Sequence, residues 1–135
     1  MGTRFIASKE AHAGQMYRDT IVAASDEDTV RTRCYSGKPM RVKKNPYVED
    51  WESRPAEIQP FPAQAMVSYQ NGVMGGIGGQ TEGLEADRSC FAMGQSAGGV
   101  RDVRPAGEIV AAIVAEAEAA IDRVAALRGR VLAPA

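Results

Sequence analysis

The sequence has one histidine, His12, two cysteines, Cys34 and Cys90, and no surplus of either charge: sixteen Lys and Arg against seventeen Asp and Glu leave a formal net charge of -1. Each shortage removes a class of function. Without a global positive field, nothing concentrates nucleic acid or anionic lipid at the surface. The two cysteines stand far apart, with no second cysteine or histidine at ligand spacing, which argues against a zinc site and for two buried free thiols. No apolar run approaches the roughly 20 residues of a membrane span, and the first residues lack a charged region followed by an apolar core and a cleavage site, so a cytoplasmic protein is expected. What remains is ordinary for a globular chain of one domain: 135 residues, 44% hydrophobic and 24% charged.

Met1-Gly2-Thr3-Arg4-Phe5-Ile6-Ala7-Ser8 reads as the end of a buried strand running into a Gly-Thr turn. At such a step the glycine lets a phosphate come close, while free amides and the threonine hydroxyl supply donors. Residues 13–24 carry Met16, Tyr17, Ile21 and Val22 at helical spacing, and the acidic run 25–28 ends that helix. Thr29 to Tyr35 and Met40 to Lys43 alternate on either side of Ser36-Gly37-Lys38-Pro39, the pattern of a hairpin. Its basic residues Arg41 and Lys43 share one strand face and read as solvated. Pro46 to Pro62 is rich in proline and charge, and predicts a short helix or loop packed through Trp51. The run Gly72 to Gly79 fits neither the dinucleotide fingerprint nor the P-loop, so it reads as a flexible loop able to serve as a lid.

Phe91-Ala92-Met93-Gly94-Gln95-Ser96-Ala97-Gly98-Gly99-Val100 combines small residues with the amide of Gln95, and on its chemistry predicts a turn. The last helix, from about 105 to 128, starts with Pro105 and Glu108 and carries one apolar stripe of Ile109, Val110, Ile113, Val114, Ala117, Ile121 and Val124. Arg123, Arg128 and Arg130 stand toward its negative end. That stripe is wider than a hairpin and a short helix can cover. Tyr17, Tyr35, Tyr47 and Tyr69 have chemistry suited to lining a site, yet spacing singles out none of them. His12 precedes a helix and reads as a surface or helix-entry residue.

In this order, MGTRFIASKEAHAGQMY, DTVRTRCYSGKPMRVKKN, IQPFPAQ, FAMGQSAGGVRDVRPAGEIV and AEAEAAI make the chain resemble the C-terminal part of the nitronate monooxygenase family, also known as 2-nitropropane dioxygenases. The flavin-dependent enoyl-acyl-carrier-protein reductases share much of the pattern. The resemblance implies an α/β fold that is the C-terminal portion of a TIM-barrel flavoprotein. Residues 1–8 would then end the last barrel strand, 9–100 form an inserted α+β lobe, 101–128 the last barrel helix, and 129–135 a tail.

The resemblance further implies FMN as cofactor, its phosphate held by Met1, Gly2 and Thr3, with Gln95 and Ser96 on the flavin or substrate side. It implies no metal, and a small nitronate substrate oxidised with dioxygen. The catalytic histidine and first seven strands of the family have no counterpart here, so the isolated chain is expected to be catalytically incomplete and to bind FMN weakly or not at all. Its helical stripe would be exposed or covered by self-association or by the absent barrel half. Two alternatives stand beside this reading: a fragment of the enoyl reductase branch, which would use a nicotinamide donor, and a non-catalytic remnant or interaction module.

Overall fold

The computed structural model describes residues 2–131, with side chains to 128. In chain order it forms α1 (Gly2–Ile6), α2 (Gln15–Ala23), β1 (Thr29–Thr32), β2 (Met40–Lys43), α3 (Pro46–Glu52), α4 (Ala63–Gln70) and α5 (Ala106–Val131). Short 3-10 turns lie at Pro55–Glu57 and Gln95–Gly99. The architecture is α/β, with a single antiparallel pair of strands among the described residues.

The hairpin forms where alternation predicts it, in the register Thr29↔Lys43, Val30↔Val42, Arg31↔Arg41 and Thr32↔Met40. Val30 and Val42 thus share the face that meets the core, and Val42 is fully buried. The segment after Cys90 extends this pair on the β2 side, where the Lys43 amide donates to the Phe91 carbonyl (2.9 Å) and the Met93 amide to that of Arg41 (3.2 Å). Two cores flank this seam. Tyr17 and Ile21 of α2 pack with Leu84, Phe91, Met93 and Ala97 in one, while Cys34, Tyr35, Val42, Val48, Val73 and Cys90 form the other. Each fully buried Ile, Val or Phe contributes about 1.5–3 kcal/mol through removal of apolar surface from water.

Asn45 ties the second core together. Its side-chain oxygen caps α3 by accepting from the Val48 amide (3.0 Å), and its side-chain nitrogen donates to Tyr35 Oη and the Ser89 carbonyl (both 3.1 Å). Tyr47 stacks on Tyr35 and meets Trp51 edge-on, so Trp51 anchors α3 as the sequence predicts.

Two expectations are corrected. Residues 2–6 are helical rather than a strand end, because no strand lies beside them among the described residues and the backbone satisfies itself locally, through Ala7 N–H to Thr3 O (3.4 Å) and Ser8 N–H to Phe5 O (3.1 Å). The Gly-rich run is not an open lid but a packed turn. Gly76 is buried, and a side chain there would collide with the Cys90 carbonyl and the Phe91 ring; Cys90 N–H binds Val73 O at 2.8 Å. Its glycines serve close approach. The helix α4 follows the proline-rich stretch without announcing itself in the sequence: its buried residues are Gln64 and Ser68, both bonded to the Cys34 carbonyl.

The start of the chain meets the segment that leads into α5. Ser8 and Arg104 form a parallel bridge, Lys9 N–H donates to Arg104 O (3.0 Å), and Glu10 Oε2 accepts from the Ala106 amide (2.8 Å) at the start of α5. This carboxylate satisfies one of the unpaired amides of a helix start and complements its dipole. Of the α5 stripe, Ile109 is 2% exposed, whereas Val110, Val114, Ile121, Val124 and Leu127 all face solvent, Ile121 at 67%.

Candidate functional site

Thr3 lies in the first turn of α1 and is buried, its hydroxyl oxygen accepting the Gly94 amide at 3.0 Å. Gly94 precedes the 3-10 turn Gln95–Gly99, whose first two side chains are exposed. A β-carbon built on Gly94 would lie 3.7 Å from Ser96 Oγ and 3.8 Å from Thr3 Oγ1, so the two hydroxyls flank one glycine. The structure therefore brings together Thr3 with Gln95 and Ser96, residues that the sequence separates by more than ninety positions. Gly2 is exposed beside Thr3, and Met1 lies outside the described residues.

Arg4 fixes this rim. Its guanidinium donates to the Asp102 carbonyl (2.6 Å) and to Asp102 Oδ1 (2.8 Å), while Arg104 takes Oδ2 (2.8 Å). Arg104 and Arg4 together hold the Asp102 carboxyl below its ordinary pKa, the Arg104 hydrogen bond being the largest cause. No periodicity in the sequence signals this clamp, because its partners are 98 residues apart.

The donors at the rim suit an anion. Thr3 uses an oxygen lone pair on Gly94 and keeps its proton to donate, Ser96 and Gln95 add donors, and the first amides of a helix lack intrahelical acceptors. No acidic residue occupies the first turn of α1, and the nearby Asp102 carboxylate is taken up by two arginines. The residues present therefore fit the phosphate end of a nucleotide cofactor.

His12 is exposed at the edge of a cleft of about 190 Å³ beside Tyr17 and Gly79. The Tyr17 hydroxyl donates to the Ala92 carbonyl and is pushed upward in pKa by burial, and Tyr35 is likewise buried and raised, bonded to Arg88 O (3.0 Å). Burial lifts the Cys34 thiol to about 11 and that of Cys90 to about 12, leaving both as inert thiols, as expected. Among the described residues no group of His, Cys, Asp and Glu is arranged to hold a metal, and no helix is long and apolar enough to cross a membrane.

Comparison with known proteins places the chain in a family. The family model described as nitronate monooxygenase matches residues 1–116. A protein of Mycobacterium tuberculosis named as a monooxygenase is 31% identical over 133 residues, covering 96% of this chain and 34% of its own length. One of Staphylococcus aureus, named as a nitronate monooxygenase, is 34% identical over 64 residues, 47% of this chain and 18% of that protein. Among solved structures, FabK from Thermotoga maritima superposes with a TM-score of 0.73 at 32% identity, over 96% of this chain and 39% of FabK. The nitroalkane oxidase of Streptomyces ansochromogenes shares the fold at 24% identity and a TM-score of 0.66, over 90% of this chain and 33% of that one. The chain thus spans about a third of the length of the relatives it matches along nearly all of its own. By its sequence and by the way it folds, it belongs to the nitronate monooxygenase family.

Proposed function

We propose that the chain is part of an FMN-dependent oxidoreductase acting on alkyl nitronates with dioxygen, and that it forms the phosphate-side wall of the cofactor site at the end of a TIM barrel. The observation that carries this reading is the Thr3 to Gly94 hydrogen bond, which joins two segments of the family pattern into one donor-rich rim without a free carboxylate. Bound there, FMN supplies the electron-accepting chemistry. The chain's own part is to bind and orient: the α1 amides and Thr3 hydroxyl hold phosphate oxygens, Arg4 and Asp102 keep α1 in place, and Gln95 and Ser96 face the flavin or substrate side. On this reading the chain supplies only the phosphate side of the site, so the 135-residue chain alone retains FMN weakly or not at all. The similarity to FabK supports a second reading, an enoyl reductase-like role with a nicotinamide donor.

The test joins this chain behind the part of the Mycobacterium tuberculosis relative that precedes its matched segment. The product should copurify with yellow flavin and consume dioxygen with the anion of 2-nitropropane; NADH-dependent turnover of an enoyl thioester instead would favour the second reading. Thr3→Ala should weaken FMN by at least about tenfold, since a hydrogen bond to a charged group contributes roughly 1.5 to 3 kcal/mol. Unchanged FMN affinity in that variant refutes the phosphate role.

A further inference from the structure

A roomy cavity lies away from the Thr3 rim, between the hairpin and the chain that follows α3. It is an open groove of about 600 Å³, within the range of about 300–1,000 Å³ typical of small-molecule sites. Pro39, Ile58 and Pro60 give it apolar walls, and Arg31, Arg33 and Glu52 line it with charge.

These charges are of opposite sign yet do not pair with one another. Among the described residues neither Arg31 nor Arg33 makes an ion pair, and Glu52 makes none either. The carboxylate is held in place from below, because the buried Thr32 hydroxyl donates to Glu52 Oε1 (2.6 Å) while accepting the Cys34 amide (3.0 Å). Arg33 is steadied by its Nε, which donates to the Gly37 carbonyl (3.0 Å) and leaves the outer guanidinium nitrogens free. Arg31 faces its like-charged cross-strand neighbour Arg41, which has turned back onto Thr29. Like charges opposite each other disfavour the pair unless an anion lies nearby.

We infer that this groove binds a small zwitterion with an apolar body, an amino acid or dipeptide, whose carboxylate meets Arg31 and Arg33, whose ammonium meets Glu52, and whose side chains lie on Pro39, Ile58 and Pro60. A plain organic anion would leave Glu52 facing it unpaired, and a plain amine would do the same to the arginines. Only a ligand bearing both charges answers the whole lining, since guanidinium forks suit carboxylates and a fixed carboxylate suits an ammonium. The volume accommodates a dipeptide better than a single residue. The site shares no residue with the cofactor rim, so the inference stands independently of the proposed function.

The test is titration of the 135-residue chain with leucyl-leucine, followed by backbone amide NMR shifts. Saturable shifts are expected at Arg31, Arg33 and Glu52. N-acetyl-leucyl-leucine, which lacks the ammonium, and leucyl-leucinamide, which lacks the carboxylate, should each bind at least about tenfold more weakly. Glu52→Gln retains an acceptor for Thr32, so it should fold; it should lower leucyl-leucine affinity to that of the acetylated peptide and leave the latter unchanged. Arg31→Gln, at an exposed position, should lower affinity for leucyl-leucine and the acetylated peptide alike. The inference is overturned by absence of saturable shifts at these residues, by equal binding of the acetylated peptide, or by indifference of leucyl-leucine to either substitution.

Discussion

Asn45 is the residue whose loss should be felt most widely in the second core, because three elements meet on one amide that is 6% exposed. Asn45→Ala removes the α3 cap, at about 1 kcal/mol. It also removes the donors to Tyr35 Oη and Ser89 O, at about 1 kcal/mol each. Tyr35 keeps its own donation to Arg88 O and can still reach Ser89 O at 3.3 Å, which holds the total near 3 rather than 5 kcal/mol. A loss of about 2 to 4 kcal/mol lowers Tm by about 8 to 16 °C for a chain of this size. Asn45→Asp separates the contributions, since a carboxylate still caps Val48 but cannot donate to Ser89 O. Burial beside that carbonyl raises the folded-state pKa of the new carboxyl above its unfolded value. The folded state then binds more protons than the unfolded, so the variant is near normal at low pH and loses stability as pH rises through the unfolded value toward the folded one. Urea titrations at pH 4 and pH 7 read both effects at constant m. An Asn45→Ala loss below about 0.5 kcal/mol, the scale of a surface substitution, would refute this account of the network.

Two glycines with positive φ should respond differently to Ala. Gly37 (φ +82°) would place its β-carbon 2.5 to 2.7 Å from backbone atoms of residues 59–61, whereas Gly72 (φ +68°) faces open space, so thermal melts should show a loss of at least about 2 kcal/mol at Gly37 and about 1 kcal/mol at Gly72. The Asp28 carboxyl is lowered to about 2, first by the Ser25 amide and then by Lys43. Its contribution is complete above the ordinary value of 3.8 and is lost as pH falls toward 2, so Asp28→Asn should flatten the acid limb of a stability profile in that window. The uncovered stripe of α5 should bind an environment-sensitive apolar dye and promote light scattering by the 135-residue chain; Val114→Lys with Ile121→Lys should suppress both, and a wild-type chain that is monomeric and dye-free would contradict the exposure.

The elements that the sequence announces are those whose own pattern decides them. β1 and β2 alternate with a turn between, and α5 repeats its apolar residues from Ile109 to Val124, so tertiary context had little to add. Where the neighbour decides, pattern fails. The inward face of α4 is Gln64 and Ser68, an i, i+4 pair invisible to hydrophobic periodicity because its partner is a carbonyl in another segment. Gly76 looks like slack until Cys90 lies against it. Gly2 to Ile6 has the composition of either a strand or a helix, and only the absence of a flanking strand among the described residues decides. The same limit applies to the rim: the family pattern implies Met1, Gly2, Thr3, Gln95 and Ser96, of which Met1 lies outside the described residues, while the bond from Gly94 and the Arg4 to Asp102 clamp require three dimensions.

The meeting of Ser8 with Arg104 has a mechanical consequence. Tension applied between Gly2 and Ala106 does not travel along the intervening chain. It crosses directly from one end to the other through the Ser8 to Arg104 bridge, reinforced on one side by Arg4 gripping Asp102 and on the other by Glu10 holding Ala106. The hairpin, both cores and the zwitterion groove hang off that clasp as an unloaded loop. Pulled in a force spectrometer, the chain should yield first at the clasp, and only then transmit load to the hairpin and unravel what it shielded.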